Sequence, residues 1–162
     1  MAANHLEQLV AEWLEYTGYF VRRNAKVGRR IKGGYDGESD IVAFNPITQR
    51  LVHYEPSTDT YSWPERERRY RKKFDAGRKH IPSLFHGITV PTTIEQYAVF
   101  LYGSKSTQRE IGGGKVLMID ALLKEMTDLL STKRIGNEIV PEQFPLLRVL
   151  QLTCEFRKKL FG

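Results

Sequence analysis

A chain of 162 residues with 41% apolar and 27% charged side chains can bury one core and reads as a single soluble domain over 1–162. Its formal net charge of +6 favours polyanionic partners without specifying a fold. The one cysteine, Cys154, excludes an intrachain disulfide and a multi-cysteine zinc site, and no apolar run approaches membrane-spanning length. The N-terminal Met-Ala-Ala-Asn-His-Leu-Glu lacks the basic-then-apolar order of a secretory signal, so a cytoplasmic setting with no membrane partner is expected.

Asn4 and Glu7 have the spacing of a capping box, and Leu6, Leu9, Val10, Trp13 and Leu14 follow helical periodicity until Gly18. Glu7, Glu12 and Glu15 lie off that stripe, where a solvated carboxylate is the ordinary expectation. Tyr19 to Ala25 reads as a strand. Lys26 to Gly37 is rich in glycine and positive charge. It suits either a flap whose Arg29, Arg30 and Lys32 touch a nucleic-acid backbone or a flexible, charged hairpin loop.

Two strands follow, on either side of an Asn45–Arg50 turn. Alternation puts Glu38, Asp40, Val42 and Phe44 on one face, and Leu51, His53, Glu55 and Ser57 on one face of the next strand. Antiparallel pairing then brings Asp40 and Glu55 together at one end of the sheet. Two carboxylates held that close need a cation or a proton between them, and a divalent ion is the simplest resolution; the plainer alternative is two strand-end carboxylates facing water. His53 suits a hydrogen bond inside the sheet better than a general base, while Val52 and Tyr54 face an opposite, apolar side.

Ser62 and Glu65 repeat the capping-box spacing, with Pro64 in the first turn of a helix running to about Lys79. Its apolar stripe is thin: Trp63, Tyr70, Phe74 and Gly77. The rest includes Arg66, Arg68, Arg69, Arg71, Lys72, Lys73, Arg78 and Lys79, a density of one sign that repels itself unless a polyanion offsets it. Ile81 to Thr93 is irregular, Gln96–Tyr102 a buried strand, Ser104–Gly114 a polar connection, and Val116–Ile119 a strand. Gly112-Gly113-Gly114-Lys115 lacks the spacing of a phosphate loop and is read as a turn. Asp120 caps a helix through Ser131, and Pro141 opens a last helical region with Arg157-Lys158-Lys159 near its end. The pattern predicts an α/β domain with a mixed central sheet flanked by helices, in which 93–162 completes the sheet and adds C-terminal helices.

Residues 4–80 resemble the PD-(D/E)xK nucleases, the superfamily with the restriction-endonuclease-like core (αβββαβ). The resemblance rests on Glu7 in the first helix, Gly18-Tyr19 through Asn24, Gly37-Glu38-Ser39-Asp40 in the second strand and Glu55-Pro56-Ser57 in the third. It implies a metal-dependent nuclease acting on DNA. Asp40 and Glu55, with the Pro56 carbonyl, would hold Mg²⁺ or Mn²⁺. Glu38 or Glu7 would reach the metal through water or support a second ion. Ser57 stands where the superfamily has lysine and cannot supply its charge. Some members carry that lysine on another element. Arg66 and Tyr70 have the spacing of a Gln-x-x-x-Tyr pattern found in one branch, and with Lys73 they share a helix face. Lys73 or Lys72 could then replace the missing lysine, Arg66 could stabilise developing charge, and Lys26 or Lys32 are less constrained substitutes. Arg66, Arg69, Lys72 and Lys73 would join Arg29, Arg30 and Lys32 in contacting nucleic acid, and the resemblance leaves a homodimer open. The competing reading is an inactive, nuclease-derived module that binds nucleic acid or protein.

Overall fold

In a computed structural model describing residues 4–103 and 107–162, helix α1 spans His5–Tyr16. Asn4 caps it by accepting from the backbone N–H groups of Leu6 and Glu7, and its side chain donates to Glu7, so the expected cap forms. Strands β1 (Phe20–Arg29), β2 (Tyr35–Asn45) and β3 (Arg50–Ser57) follow as an antiparallel meander. The basic stretch after Ala25 is thus mostly strand. β1 and β2 stay paired out to Arg29–Tyr35, because Val27 buries itself beside Ile81 and Val42.

Pro56 has no N–H to give to a ladder, yet β3 pairs in parallel with β4 (Ile94–Phe100) through it as far as Ser57. Its ladder with β2 has closed by Ile41–Tyr54, which leaves an open side for a residue without an N–H. β4 also pairs in parallel with β6 (Gly114–Met118). Short β5 (Glu110–Ile111) lies antiparallel on the outer edge, so the mixed six-stranded sheet has the order β1-β2-β3-β4-β6-β5. Gly112 and Gly113 make the β5–β6 turn with φ of 57° and 81°, as a two-residue hairpin requires. Ser104 to Ser106, the start of the expected polar connection, lie outside the described residues.

Helices cover both faces. α1, α3 (Ile119–Leu130) and α4 (Pro145–Glu155) pack on the side of Ile41, Ala43, Val52 and Val99. α2 (Trp63–His80), followed by a 3₁₀ turn at Ile81–Leu84, covers the side of Val42, Phe44, Ala98 and Phe100. Ser62 makes no side-chain cap for α2, and Glu65 pairs with Arg68. Asp120 lies inside the first turn of α3 and accepts from the N–H of Ala121; Met118 occupies the cap position. The last region starts at Pro145 rather than Pro141 and breaks at Phe156 before α5 (Arg157–Phe161).

Glu12 is not solvated. It is 2% exposed, and its Oε2 accepts from the N–H groups of Leu146 (2.9 Å) and Leu147 (3.1 Å), capping α4 from across the core. A carboxylate there answers both the unpaired N–H groups and the positive end of the helix dipole. Glu12→Ala should therefore lose about 3 kcal/mol in urea denaturation, because buried donors are left unpaired. Glu12→Gln keeps an acceptor and should lose less than half of that. Equal stability of all three proteins would mean that this contact contributes nothing.

Candidate active site

The β2–β3 ladder brings Asp40 and Glu55 together just past its last pair, on the face covered by α2. The Asp40 N–H donates to Glu55 Oε1 at 3.1 Å. Lys73 of α2 lies over the two carboxylates, its Nζ donating to Asp40 Oδ2 at 3.4 Å and, more closely, to Glu55 Oε2. The helix is held in register there by Tyr70, one turn earlier, whose hydroxyl donates to the Glu55 carbonyl at 3.3 Å. Of the lysines that could stand in for Ser57, the structure brings Lys73 to the carboxylates, while Lys72 remains on the exposed side of α2.

Burial and the charge of Glu55 push the Asp40 carboxyl up to about 8, and Glu7 is close enough to push it further in the same direction. Burial also works against ionised Glu55, but the His53 hydrogen bond and the charge of Lys73 outweigh it and hold Glu55 below the usual carboxylate range. Lys73 loses hydration, yet the two carboxylates more than offset this and raise its pKa, so it stays charged through the neutral range. A single ammonium against two carboxylates leaves the pair able to accept one more positive charge. A proton on Asp40 supplies it, or a hard cation can.

Behind Glu55 lies a polar chain inside the core. His53 and Glu55 are both fully buried. His53 Nε2 lies 2.7 Å from Glu55 Oε1, and His53 Nδ1 lies 3.0 Å from Gln96 Nε2. The same Gln96 nitrogen is 2.9 Å from the Phe74 carbonyl, and Gln96 Oε1 is 2.5 Å from Arg78 Nη1. A carbonyl only accepts and a guanidinium only donates, so the amide orientation is determined by its two outer neighbours. Gln96 therefore donates to His53 Nδ1, and the histidine proton sits on Nε2, aimed at Glu55. Both ring nitrogens are engaged inside the core. His53 orients Glu55 and is not placed to take a proton from a water in the cleft.

The other expected residues divide. Arg66 is 2% exposed, with its guanidinium donating to the side chain and carbonyl of Asp59 and lying 4.1 Å from the centre of the Phe100 ring. It packs α2 onto the sheet, and with Tyr70, Phe74 and Gly77 it forms the buried stripe of that helix. Ser57 donates to Asp59 at 2.5 Å and takes no part in the carboxylate cluster. Glu38 is exposed and lines a cleft of about 450 Å³ with Asp36, Asp40, Arg68, Arg69, Lys72 and Lys73, between the β1–β2 hairpin and α2. Arg29, Arg30 and Lys32 lie at the tip of that hairpin.

Charge repulsion along α2 is largely relieved within the chain, because Arg66, Arg68, Arg71, Lys73 and Arg78 each pair with a carboxylate. Arg69, Lys72 and Lys79 make no ion pair among the described residues, and Arg69 and Lys72 border the cleft.

Among the described residues no group of three or more His, Cys, Asp or Glu is placed to hold a metal ion. The donor set on offer is the carboxylate pair Asp40 and Glu55. That set fits Mg²⁺, which is commonly bound through one or two carboxylates with water and substrate phosphate completing its shell. Gln96 and Arg78 were not anticipated as parts of the site. They come from β4 and the far end of α2, and only the fold joins them to His53. No protein-family model matches the chain, and no curated protein matches it in sequence. No helix among the described residues is long and apolar enough to cross a membrane.

Proposed function

We propose that the chain is a metal-dependent deoxyribonuclease built on a restriction-endonuclease-like core. The reading is carried by one observation: Lys73 reaches Asp40 and Glu55 from α2, supplying the charge that Ser57 cannot. The order helix, three antiparallel strands, helix, parallel strand supports the same core. Asp40 and Glu55, with the Pro56 carbonyl, would hold Mg²⁺ or Mn²⁺, which would supply positive charge to the scissile phosphate and a more acidic bound water. Lys73, charged throughout, donates hydrogen bonds to the phosphate oxygens as their charge grows and is not the group that accepts a proton. His53, Gln96 and Arg78 fix the direction of Glu55. Arg69 and Lys72 at the rim of the cleft take flanking phosphates.

The test is incubation of supercoiled plasmid and single-stranded DNA with Mg²⁺ or Mn²⁺, beside an Asp40→Ala variant. Cleavage by the wild type and its loss in the variant are expected. A second reading, a module that binds nucleic acid without cutting it, is favoured by the Lys73 ammonium already bridging both carboxylates. Salt-dependent binding with no cleavage under any metal would select it over the enzyme.

A further inference from the structure

The β1–β2 hairpin continues past the sheet as an arm. All residues from Arg29 to Tyr35 are exposed, and Ile31 at the turn is wholly so, at 106% relative exposure. Single exposed apolar residues are common on surfaces. This one differs in its setting. Arg29, Arg30 and Lys32 flank it, and the turn that carries it is built, with Arg30 N–H donating to the Gly34 carbonyl (3.0 Å) and Gly33 N–H to the Arg30 carbonyl (3.1 Å).

The base of the arm is tied to the helix that carries Lys73. Asp36 accepts from Arg30 Nε at 2.8 Å and lies 3.0 Å from His80 Nε2. Gly28, at φ 68°, fits closely beneath them: a Cβ there would lie 2.6 Å from Asp36 Oδ2 and 2.7 Å from His80 Nε2. Arm and helix are thus the two walls of the cleft that holds Asp40 and Lys73.

Resting on the deoxyribonuclease reading, we propose that this arm tracks the backbone of bound DNA with Arg29, Arg30 and Lys32 and inserts Ile31 as an apolar wedge between bases. Cations beside an apolar tip are what an unstacking contact needs: the charges hold the phosphates on either side while the side chain replaces one base as a stacking neighbour. The strand geometry sets where this happens. Tyr35 lies about 16 Å from Asp40 along β2 and Ile31 lies beyond it at the turn, so the wedge acts at least about five base steps from the phosphate held at the carboxylates.

The experiment uses the full chain in EDTA, so that chemistry plays no part, and duplex DNA carrying 2-aminopurine at successive positions. Anisotropy of a labelled duplex is followed in parallel. Wild type should bind with salt dependence and raise 2-aminopurine fluorescence at a discrete position. Ile31→Ser should lose the rise and Ile31→Phe should keep it, both with unchanged thermal melting, because the side chain packs on nothing. Binding without a rise in the wild type, or a rise that survives in Ile31→Ser, overturns the wedge and leaves the nuclease reading standing. No binding to DNA overturns the wedge, while cleavage with Mg²⁺ or Mn²⁺ decides the nuclease reading separately. Ile31-dependent sedimentation with phosphatidylserine vesicles, without unstacking of DNA, overturns the wedge in favour of a membrane contact.

Discussion

Lys73→Met should lower DNA cleavage by about 10²–10³-fold, the usual cost of removing one donor that meets charge developing in a transition state. Lys73→Arg should recover little, because a planar fork does not fit the single point at which Nζ meets both carboxylates. The substitution carries a second signature, independent of any reaction. Lys73 is the one Lys or Arg among the described residues that pairs with Asp40 or Glu55. Asp40 already holds its proton up to about 8 in the folded protein, whereas in the unfolded chain it releases it near 4. Between those values the folded state binds the extra proton, so the contribution of Asp40 to stability falls as pH rises. Without Lys73 both carboxylates shift upward and the decline steepens. Urea denaturation at pH 5 and pH 8 should show Lys73→Met losing more stability at the higher pH. A loss that is the same at both would place the ammonium away from the carboxylates.

Local pattern made the carboxylate pair legible. Period-two alternation and one turn suffice to bring Asp40 and Glu55 to the same end of a hairpin, and no distant residue is needed for that step. The mixed sheet flanked by helices follows from the order of periodic segments in the same way. Lys73 was legible only as one of several candidates. Its three-residue offset from Tyr70 puts it on the face toward the sheet, but the choice between it and Lys72 depends on how α2 is rotated, which Phe74 and Arg66 decide by packing.

What stayed hidden was long-range. Gln96 meets His53 across a parallel strand pair, and Glu12 caps a helix that begins far along the chain. Nothing near either residue in sequence signals its partner. The two capping boxes show the same limit at short range: the pattern forms at Asn4 and does not at Ser62, where the glutamate pairs with a neighbouring arginine. Arg66 shows the converse. A cation on a basic helix suggests a solvated or ligand-facing role, and only the fold supplies the Asp59 and Phe100 that make it a packing residue.

Gly77→Ala is expected to destabilise the protein by about 3 kcal/mol, although alanine is the better helix former by about 1 kcal/mol. Gly77 lies inside α2, where a glycine needs a reason. A Cβ there would fall 2.6 Å from His53 Nδ1 and 2.9 Å from Gln96 Nε2. Neither neighbour can move aside cheaply. His53 is held at both ring nitrogens, and Gln96 is held by Arg78 and the Phe74 carbonyl, so yielding would leave buried polar atoms unpaired. The helix must lift instead, and Lys73, one turn earlier on nearly the same face, lifts with it. Urea denaturation should record the loss of stability. Lys79→Ala, at an exposed position of the same helix, should stay within about 0.5 kcal/mol of wild type. Cleavage by Gly77→Ala should fall by more than its folded fraction accounts for, since the surviving native molecules hold Lys73 farther from the carboxylates. A Gly77→Ala protein as stable as wild type would show that α2 does not approach the sheet this closely, and the buried chain from Arg78 to Glu55 would lose its basis with it.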